Sequence, residues 1–192
     1  LWLEPLPAPK AEKKKDTIYE TKIQPFVLNP EIGMYDDLIN QKHLPLTVPF
    51  TTMGNALLYG VSGSGKLEFL NKMLVELMKH HSAEEVNFYL CDFDSGALSA
   101  FEGAEYTKIY AGAGECEGAQ AIFNRILYEL TQRREIMKKY GGEYHNYIQT
   151  SGRKLPNILL VVHNYQNLSE SYIEARQNLM NIVREGTKYG IY

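Results

Sequence analysis

A glycine-rich loop limits the choice of fold more than any other feature of the chain. The loop is Gly60-Val61-Ser62-Gly63-Ser64-Gly65-Lys66-Leu67, and it follows the apolar run Ala56-Leu57-Leu58-Tyr59. After the loop, apolar residues recur at helical spacing, which predicts a helix over residues 67–80. An apolar strand, a glycine-rich turn and a helix in this order are typical of an α/β protein with a parallel sheet.

The composition of this loop also indicates a phosphate-binding site. Its glycines let successive backbone N–H groups point inward, and the N-terminus of the next helix adds a partial positive charge. Lys66 completes a Gly-x-x-x-x-Gly-Lys pattern, in which the lysine contacts the β- and γ-phosphates of a nucleotide. We therefore predict that the loop binds ATP. The predicted binding residues are Gly60, Val61, Ser62, Gly63, Ser64, Gly65, Lys66 and Leu67.

The residues that would hold Mg²⁺ and activate water are replaced. The residue after the loop lysine is normally Ser or Thr, whose hydroxyl group binds Mg²⁺, and here it is Leu67. A P-loop ATPase has Asp, often followed by Glu, after a buried strand, where this chain has His163-Asn164. Neutral imidazole binds Mg²⁺ poorly, and an amide cannot accept the proton of an attacking water. The sequence thus predicts no catalytic residue, no tightly held metal and negligible ATP hydrolysis by this domain alone.

Two pairs of charged residues have alternative interpretations. Asp92 and Asp94 follow a predicted strand, at the sheet edge where ligands bind in open α/β folds. They could contact a metal, but a role in the turn is favoured. Arg133 and Arg134 lie where the buried face of a long helix ends; they could reach a neighbouring nucleotide in a ring, but solvation or an ion pair is the common outcome.

The remaining pattern predicts a P-loop α/β domain with helices on both faces of the sheet and right-handed crossovers. The core strands are predicted at residues 56–59, 86–91, 107–110 and 157–162, and a long helix at 117–140. Extended segments at 24–28 and 44–48 are expected to pack on the edge of this sheet. Residues 143–154 are expected to form a polar segment, with Tyr144, His145 and Tyr147 at the surface or in an interface.

Composition excludes several classes of protein. The net charge of −3 argues against nucleic-acid binding, because no general basic field attracts a phosphate backbone. No apolar run approaches the ~20 residues that cross a bilayer. Cys91 and Cys116 have no partner at metal-ligand spacing, which indicates a reducing compartment without disulfides.

The domain boundaries are predicted from the ends of the chain. Residues 1–15, with three prolines and four lysines, are predicted to be a linker, and residues 16–192 the nucleotide-binding domain. The chain opens without Met and stops at Gly190-Ile191-Tyr192, where a new strand is expected to begin. We therefore expect a piece of a longer protein.

Three segments together resemble the FtsK/SpoIIIE family, and within it the EssC/EccC group of type VII secretion coupling proteins. They are the loop at 60–67, residues 88–98 (FYLCDFDSGAL) and residues 184–191 (REGTKYGI). The opening LWLEPL is similar to the linker before the second of that group's tandem ATPase domains. The family's metal-binding Ser/Thr falls on Leu67 and its acidic pair on His163-Asn164, so only the phosphate loop carries over.

The resemblance implies a cytoplasmic domain of a bacterial cell-membrane protein. Its expected partners are other ATPase domains of the same chain, further copies in a hexamer and secreted helical proteins of the WXG100 type. On this view the domain binds ATP, without tightly held Mg²⁺, and helps to assemble and gate a secretion motor. The alternatives are an active ATPase motor, a DNA translocase of the parent family and a protein-interaction module with no nucleotide.

Overall fold

The computed structural model describes residues 26–94, 96–171 and 173–192; the predicted linker at 1–15 lies outside them. A two-stranded sheet precedes an α/β unit that contains the glycine-rich loop. The elements in chain order are β1 (Glu31–Asp37), β2 (Lys42–Thr47), α1 (Phe50–Met53), α2 (Lys66–His80), β3 (Val86–Asp92), β4 (Thr107–Ala111), α3 (Cys116–Met137), α4 (Tyr144–Ser151), β5 (Asn157–His163), α5 (Tyr165–Ser171) and α6 (Ile173–Glu185). Short 3₁₀ helices cover Ser99–Phe101, Lys138–Tyr140 and Gly186–Tyr189.

The main sheet is parallel, in the order β4-β3-β5, as the βα pattern predicts. On the other edge of β5, Ile191 forms an isolated parallel bridge with Ile158. Two backbone hydrogen bonds support this bridge, from Tyr192 N to Ile158 O (2.9 Å) and from Leu160 N to Tyr192 O (2.7 Å). Residues 190–192 therefore start to pair with the sheet, as expected from the sequence.

β3 is buried on both faces, which explains its nearly continuous apolar sequence. Phe88 and Leu90 face one core, to which α2 contributes Leu74 and Leu77. Tyr89 and Cys91 face the opposite core, and α3 supplies part of its apolar surface: Ala119, Ile122, Phe123, Ile126 and Leu130. Helices thus cover both faces of the sheet, as predicted.

The predicted helices after the loop and after β4 are both confirmed. α2 begins at Lys66, one residue before the predicted start, and ends at His80. α3 has 22 residues, and the 3₁₀ turn Lys138–Tyr140 extends it to the predicted end. No helix in the described ranges is long and apolar enough to cross a bilayer.

The predicted strand at residues 56–59 is wrong. This segment pairs with no strand among the described residues, and its side chains are exposed, with Leu57 at 88% and Tyr59 at 92%. An apolar run predicts a strand only where a neighbouring strand completes the ladder, and the free edge of β5 pairs with Ile191 instead. The segment is attached at its start, where Asn55 Nδ2 donates to Val183 O at 2.8 Å.

The extended segments before the loop pair with no strand of the main sheet, although they pack against it: Leu28 is fully buried in the core that Phe88 and Leu90 face, and Asn157 Nδ2 of β5 donates to Phe26 O at 3.1 Å. Residues 44–47 belong to β2, which pairs antiparallel with β1 in a separate sheet. The turn between them explains this local pairing, because the Asp37 carboxylate accepts hydrogen bonds from Ile39 N and Asn40 N at 3.1 Å. The other predicted segment falls partly outside the described residues, and residues 26–28 form no strand.

Residues 143–154 are not a polar surface segment. Residues 144–151 form α4, and Tyr144, Tyr147 and Ile148 are buried on one face of this helix at spacings of three and four. The Tyr144 hydroxyl donates to Leu155 O at 2.6 Å, so its polar end is satisfied inside the protein. His145 is exposed, as predicted. The sequence analysis missed this amphipathic helix because most of its residues are polar.

Candidate nucleotide-binding site

The loop from Gly60 to Gly65 leads directly into α2. Gly63 (φ 74°) and Gly65 (φ 81°) adopt the left-handed conformation that other residues avoid. Ser64 N donates to Val61 O at 3.3 Å and closes the turn, and Gly65 is the N-cap of α2. Gly63 and Gly65 therefore provide the backbone conformation that the sequence pattern predicts for the loop.

Lys66 lies against the loop that precedes it. Its ammonium group donates to Gly60 O and to Val61 O, both at 2.7 Å. An ammonium group has three N–H donors, so one donor remains for a ligand. No carboxylate in the described ranges forms an ion pair with Lys66. The loop thus holds an un-neutralised positive charge at a fixed place.

Backbone donors of the loop are also available. The N–H groups of Gly63, Gly65 and Lys66 donate to no acceptor in the part of the chain that the structure describes. They lie at the N-terminus of a 15-residue helix, whose dipole favours an anion. Glu68, in the first turn, is exposed and its carboxylate forms no capping hydrogen bond with these donors. The donor set fits a phosphate group.

The side chain of the residue after Lys66 has no oxygen atom that could bind a metal ion. Leu67 is the second residue of α2, and its half-buried side chain contains only carbon. The described residues contain no group of three or more His, Cys, Asp or Glu side chains that could hold a metal ion. The residues present therefore fit the phosphates of a nucleotide, and the position after Lys66 supplies no ligand for Mg²⁺.

Asp92, at the end of β3, is fully buried and holds the turn that follows. Its Oδ2 atom accepts a hydrogen bond from Leu98 N at 2.9 Å, and its Oδ1 atom accepts one from Asp94 N at 3.1 Å. His163 Nδ1 lies 3.0 Å from the same Oδ1 atom. The favoured interpretation of Asp92 as a turn residue agrees with this geometry, and Asp94 is exposed.

The pKa of Asp92 follows from these contacts. Burial alone raises the pKa of its carboxyl group. The N–H groups of Leu98 and Asp94, together with His163, lower it by more, so the pKa lies below its ordinary value. Asp92 is therefore ionised at neutral pH, and its charge is shared among groups of the protein itself.

The residues at the end of β5 are joined to the end of β3. Phe93 N donates to His163 O at 3.1 Å, and Asn167 Nδ2 donates to Phe93 O at 2.8 Å. Between them, Asn164 has a φ of 58°, a left-handed conformation that asparagine tolerates better than most residues. His163 and Asn164 thus support a turn at the position where an ATPase carries its acidic pair.

Arg133 is an important residue whose role the sequence left open. Its guanidinium group is buried and donates to Pro156 O (2.7 Å) and to Tyr189 O (2.9 Å), so it cannot reach a neighbouring subunit. Its spacing from Ile126 and Met137 places it on the buried face of α3, and that spacing was the available signal. Arg134 forms an ion pair with Glu185.

Cys91 does not add chemistry to the site. Its thiol is buried in β3, and burial raises the pKa of the thiol to about 12. The thiolate, which is the reactive form, is therefore scarce at neutral pH.

The parallel sheet, the glycine loop at the start of a helix and the lysine bound to that loop define a nucleotide-binding fold of the P-loop class. The profile of the FtsK/SpoIIIE family matches residues 14–185, and the chain belongs to this family.

Comparison with known proteins agrees with that assignment. The chain is 23% identical over 164 residues to the type VII secretion system protein EssC of Staphylococcus aureus strain MRSA252, a match that covers 84% of this chain and 11% of EssC. The ESX secretion system protein EccC of Geobacillus thermodenitrificans is 23% identical over 192 residues, which covers 100% of this chain and 12% of EccC. The chain therefore spans only a small part of these relatives.

The solved structure of ATPases 2 and 3 of EssC from Geobacillus thermodenitrificans has the same fold. It superimposes with a TM-score of 0.80 at 20% identity, over 99% of this chain and 35% of that one. This match and the parallel sheet flanked by helices confirm the predicted fold class. ATPases 2 and 3 of Thermomonospora curvata EccC, solved with a signal sequence peptide, give a TM-score of 0.77 at 21% identity, over 98% of this chain and 35% of that one.

Proposed function

We propose that this chain is a domain of a type VII secretion ATPase that binds ATP and does not hydrolyse it by itself. The observation that carries the proposal is the state of Lys66, which two loop carbonyls hold in place with one N–H donor to spare. Gly60 to Leu67 would hold the nucleotide, and the bound nucleotide would supply negative charge to the N-terminus of α2.

The loss of hydrolysis follows from three positions. Leu67 offers no ligand to Mg²⁺, His163 lies against Asp92, and Asn164 serves a turn. Removal of a general base alone slows such a reaction by ~10² to 10⁴. Loss of the metal removes the charge that stabilises phosphoryl transfer, and it slows the reaction further.

The role in the larger protein is part of the same proposal. The EssC and EccC relatives are secretion system proteins, and the solved structures contain more than one ATPase domain. We propose that the domain corresponds to the second of the tandem ATPases and lies on the cytoplasmic side of the bacterial cell membrane. It would contact neighbouring ATPase domains in a hexamer and help to gate the export of WXG100-type proteins. The signal peptide bound to EccC supports a role in substrate export.

Calorimetric titration of the purified chain with ATP, with and without Mg²⁺, tests the proposal. Lys66→Ala removes the charged hydrogen-bond donor, and we expect a loss of affinity of about tenfold or more. Lys72→Ala, an exposed lysine on the same helix, is the matched control and should bind like the unmodified chain. Mg²⁺ should change the affinity by less than about threefold, because the site adds no metal ligand.

Other results would favour another function. ATP turnover that Lys66→Ala abolishes would show an active ATPase motor. If ATP does not bind at all, the domain is a protein-interaction module that keeps only the fold. A shift of duplex DNA at low salt would support the translocase alternative.

A further inference from the structure

The helix α6 has one buried face and one exposed face with a defined pattern. Ala175, Leu179 and Ile182 are buried and pack into the same core as α3. On the opposite side, the exposed face lines a shallow depression of about 520 Å³. The lining residues, which we call the α6 outer face, are Ile173, Arg176, Gln177, Met180, Asn181 and Arg184.

The spacing of these residues suits contact with another helix. They repeat at intervals of three and four, the spacing that places side chains on one face. From Ile173 to Arg184 the face extends over three turns, roughly 16 Å at the rise of an α-helix. Ile173 is 75% exposed and Met180 is 40% exposed. An apolar strip of this kind is a site that a partner helix can cover.

The charge on this face is positive and unpaired. Neither Arg176 nor Arg184 forms an ion pair or a hydrogen bond within the described residues. The nearby carboxylate of Glu185 is used by Arg134. Lys188 follows Arg184 by one turn and is exposed. A chain with a net charge of −3 thus carries two unpaired arginines on this face, and the exposed Glu174 in the first turn of α6 is not one of the lining residues.

We propose that the α6 outer face docks an acidic amphipathic helix of a partner protein. Apolar side chains of that helix would cover Ile173 and Met180, and its carboxylates would pair with Arg176 and Arg184. The amides of Gln177 and Asn181 lie within the strip and can hydrogen-bond polar groups of the partner.

The same pattern argues against other occupants. A nucleic-acid groove needs cations along its length, often with aromatic residues, and this strip alternates cations with Ile173, Met180 and two amides. A membrane-binding helix buries a continuous apolar face, whereas Gln177 and Asn181 would be buried here without water.

The test uses a display library of 20-residue helices with randomised surface positions, selected on the purified chain without nucleotide. The affinity of each selected helix is then measured on the Arg176→Glu/Arg184→Glu variant, which is not used in the selection. Because both arginines are exposed, this variant should keep the fold, which circular dichroism checks. Arg153→Glu is the matched control, because Arg153 is an exposed arginine in the loop between α4 and β5. The proposal does not depend on ATP binding, so either can fail alone.

We expect the retained helices to carry Asp or Glu beside an apolar stripe. Their affinity should fall at least about tenfold with Arg176→Glu/Arg184→Glu and stay unchanged with Arg153→Glu. A selected helix with its acids changed to lysine should bind the doubly reversed variant instead. The proposal is overturned if no selected helix depends on the two arginines or if the binders are not acidic. It is also overturned if phosphatidylserine vesicles or a 20-base-pair duplex bind this face while helices do not.

Discussion

The glycine loop at 60–65 and the turn after β3 are both polar segments that the sequence associates with a ligand site, and they use their polar groups in opposite ways. In the loop, the N–H groups of Gly63 and Gly65 and one donor of Lys66 have no acceptor among the described residues. In the turn, the Asp92 carboxylate accepts from two backbone N–H groups and contacts His163. The loop is prepared for a ligand, whereas the turn is satisfied internally.

Under the proposed function, this difference explains how the metal half of such a site can be lost without loss of the fold. A carboxylate at the end of β5 would lie beside the buried Asp92, and two like charges at that distance repel each other. His163 instead contacts Asp92 and joins the ends of β3 and β5. The phosphate half is built from backbone groups, and it does not depend on this exchange.

Asp92→Ala should give the largest effect, on folding stability. The change leaves the Leu98 and Asp94 N–H groups and the His163 ring without their acceptor, at a cost of about 3 kcal/mol in the free energy of unfolding. Urea denaturation followed by circular dichroism measures it. Asp94→Ala, which removes an exposed carboxylate, is the control and should change stability by less than about 0.5 kcal/mol. Equal effects of the two changes would contradict the internally satisfied turn.

The contribution of Asp92 should also disappear in acid. Because its pKa is lowered in the folded protein, the ionised carboxylate stabilises the fold at pH values above its ordinary pKa of about 3.9. That stability is lost as the pH falls through the lower, folded value. The measurement is the stability difference between the unmodified chain and Asp92→Asn from pH 7 down to pH 2. A difference that stays constant or grows in acid would contradict the direction of the pKa shift.

Leu67→Ser should add one metal ligand to the glycine loop, and it tests whether the loop lacks only that hydroxyl group. We expect Mg²⁺ to strengthen ATP binding by about threefold in this variant, because a single oxygen is a weak addition to a six-coordinate site. Calorimetry with and without Mg²⁺ measures the change. Leu67→Ala removes the same bulk without adding oxygen, and it separates a metal effect from a steric one. Equal Mg²⁺ dependence in both variants would mean that the missing hydroxyl does not limit metal binding.

Asn164→Gly should have the smallest effect. The residue has a φ of 58°, which glycine adopts without strain, so we expect a stability change within about 0.5 kcal/mol. Asn164→Val should cost about 1 to 2 kcal/mol, because a β-branched residue is strained there. Thermal unfolding compares the two variants. If glycine were as damaging as valine, the amide side chain and not the backbone conformation would be the important feature.

The sequence predicts the central strands well because their signal is local. β3 and β5 are apolar on both faces, and two of the helices that cover them, α2 and α3, can be recognised from spacing alone. The conformation of the loop is equally predictable, since it depends on glycines in the left-handed region. The prediction of a strand at residues 56–59 failed because an apolar run does not show whether a neighbouring strand is there to pair with it.

Long-range partners explain the other differences. The spacing of Arg133 on α3 indicates that it is buried, but only the fold brings the carbonyls of Pro156 and Tyr189 to it. Likewise, the contact between Asp92 and His163 joins residues 71 positions apart. The sequence identifies Leu67, His163 and Asn164 at the positions expected for a metal site, but it does not show that His163 contacts Asp92 or that Asn164 lies in a turn.

The burial of Arg133 sets an order of events during synthesis. The helix that carries it emerges from the ribosome well before Tyr189, whose carbonyl lies 56 residues further along and accepts one of its hydrogen bonds. Until that segment appears, the guanidinium group needs water, so the apolar surface around it cannot close fully. The nascent chain therefore exposes part of this core until the segment around Tyr189 has been synthesised, and it needs protection from aggregation for that interval.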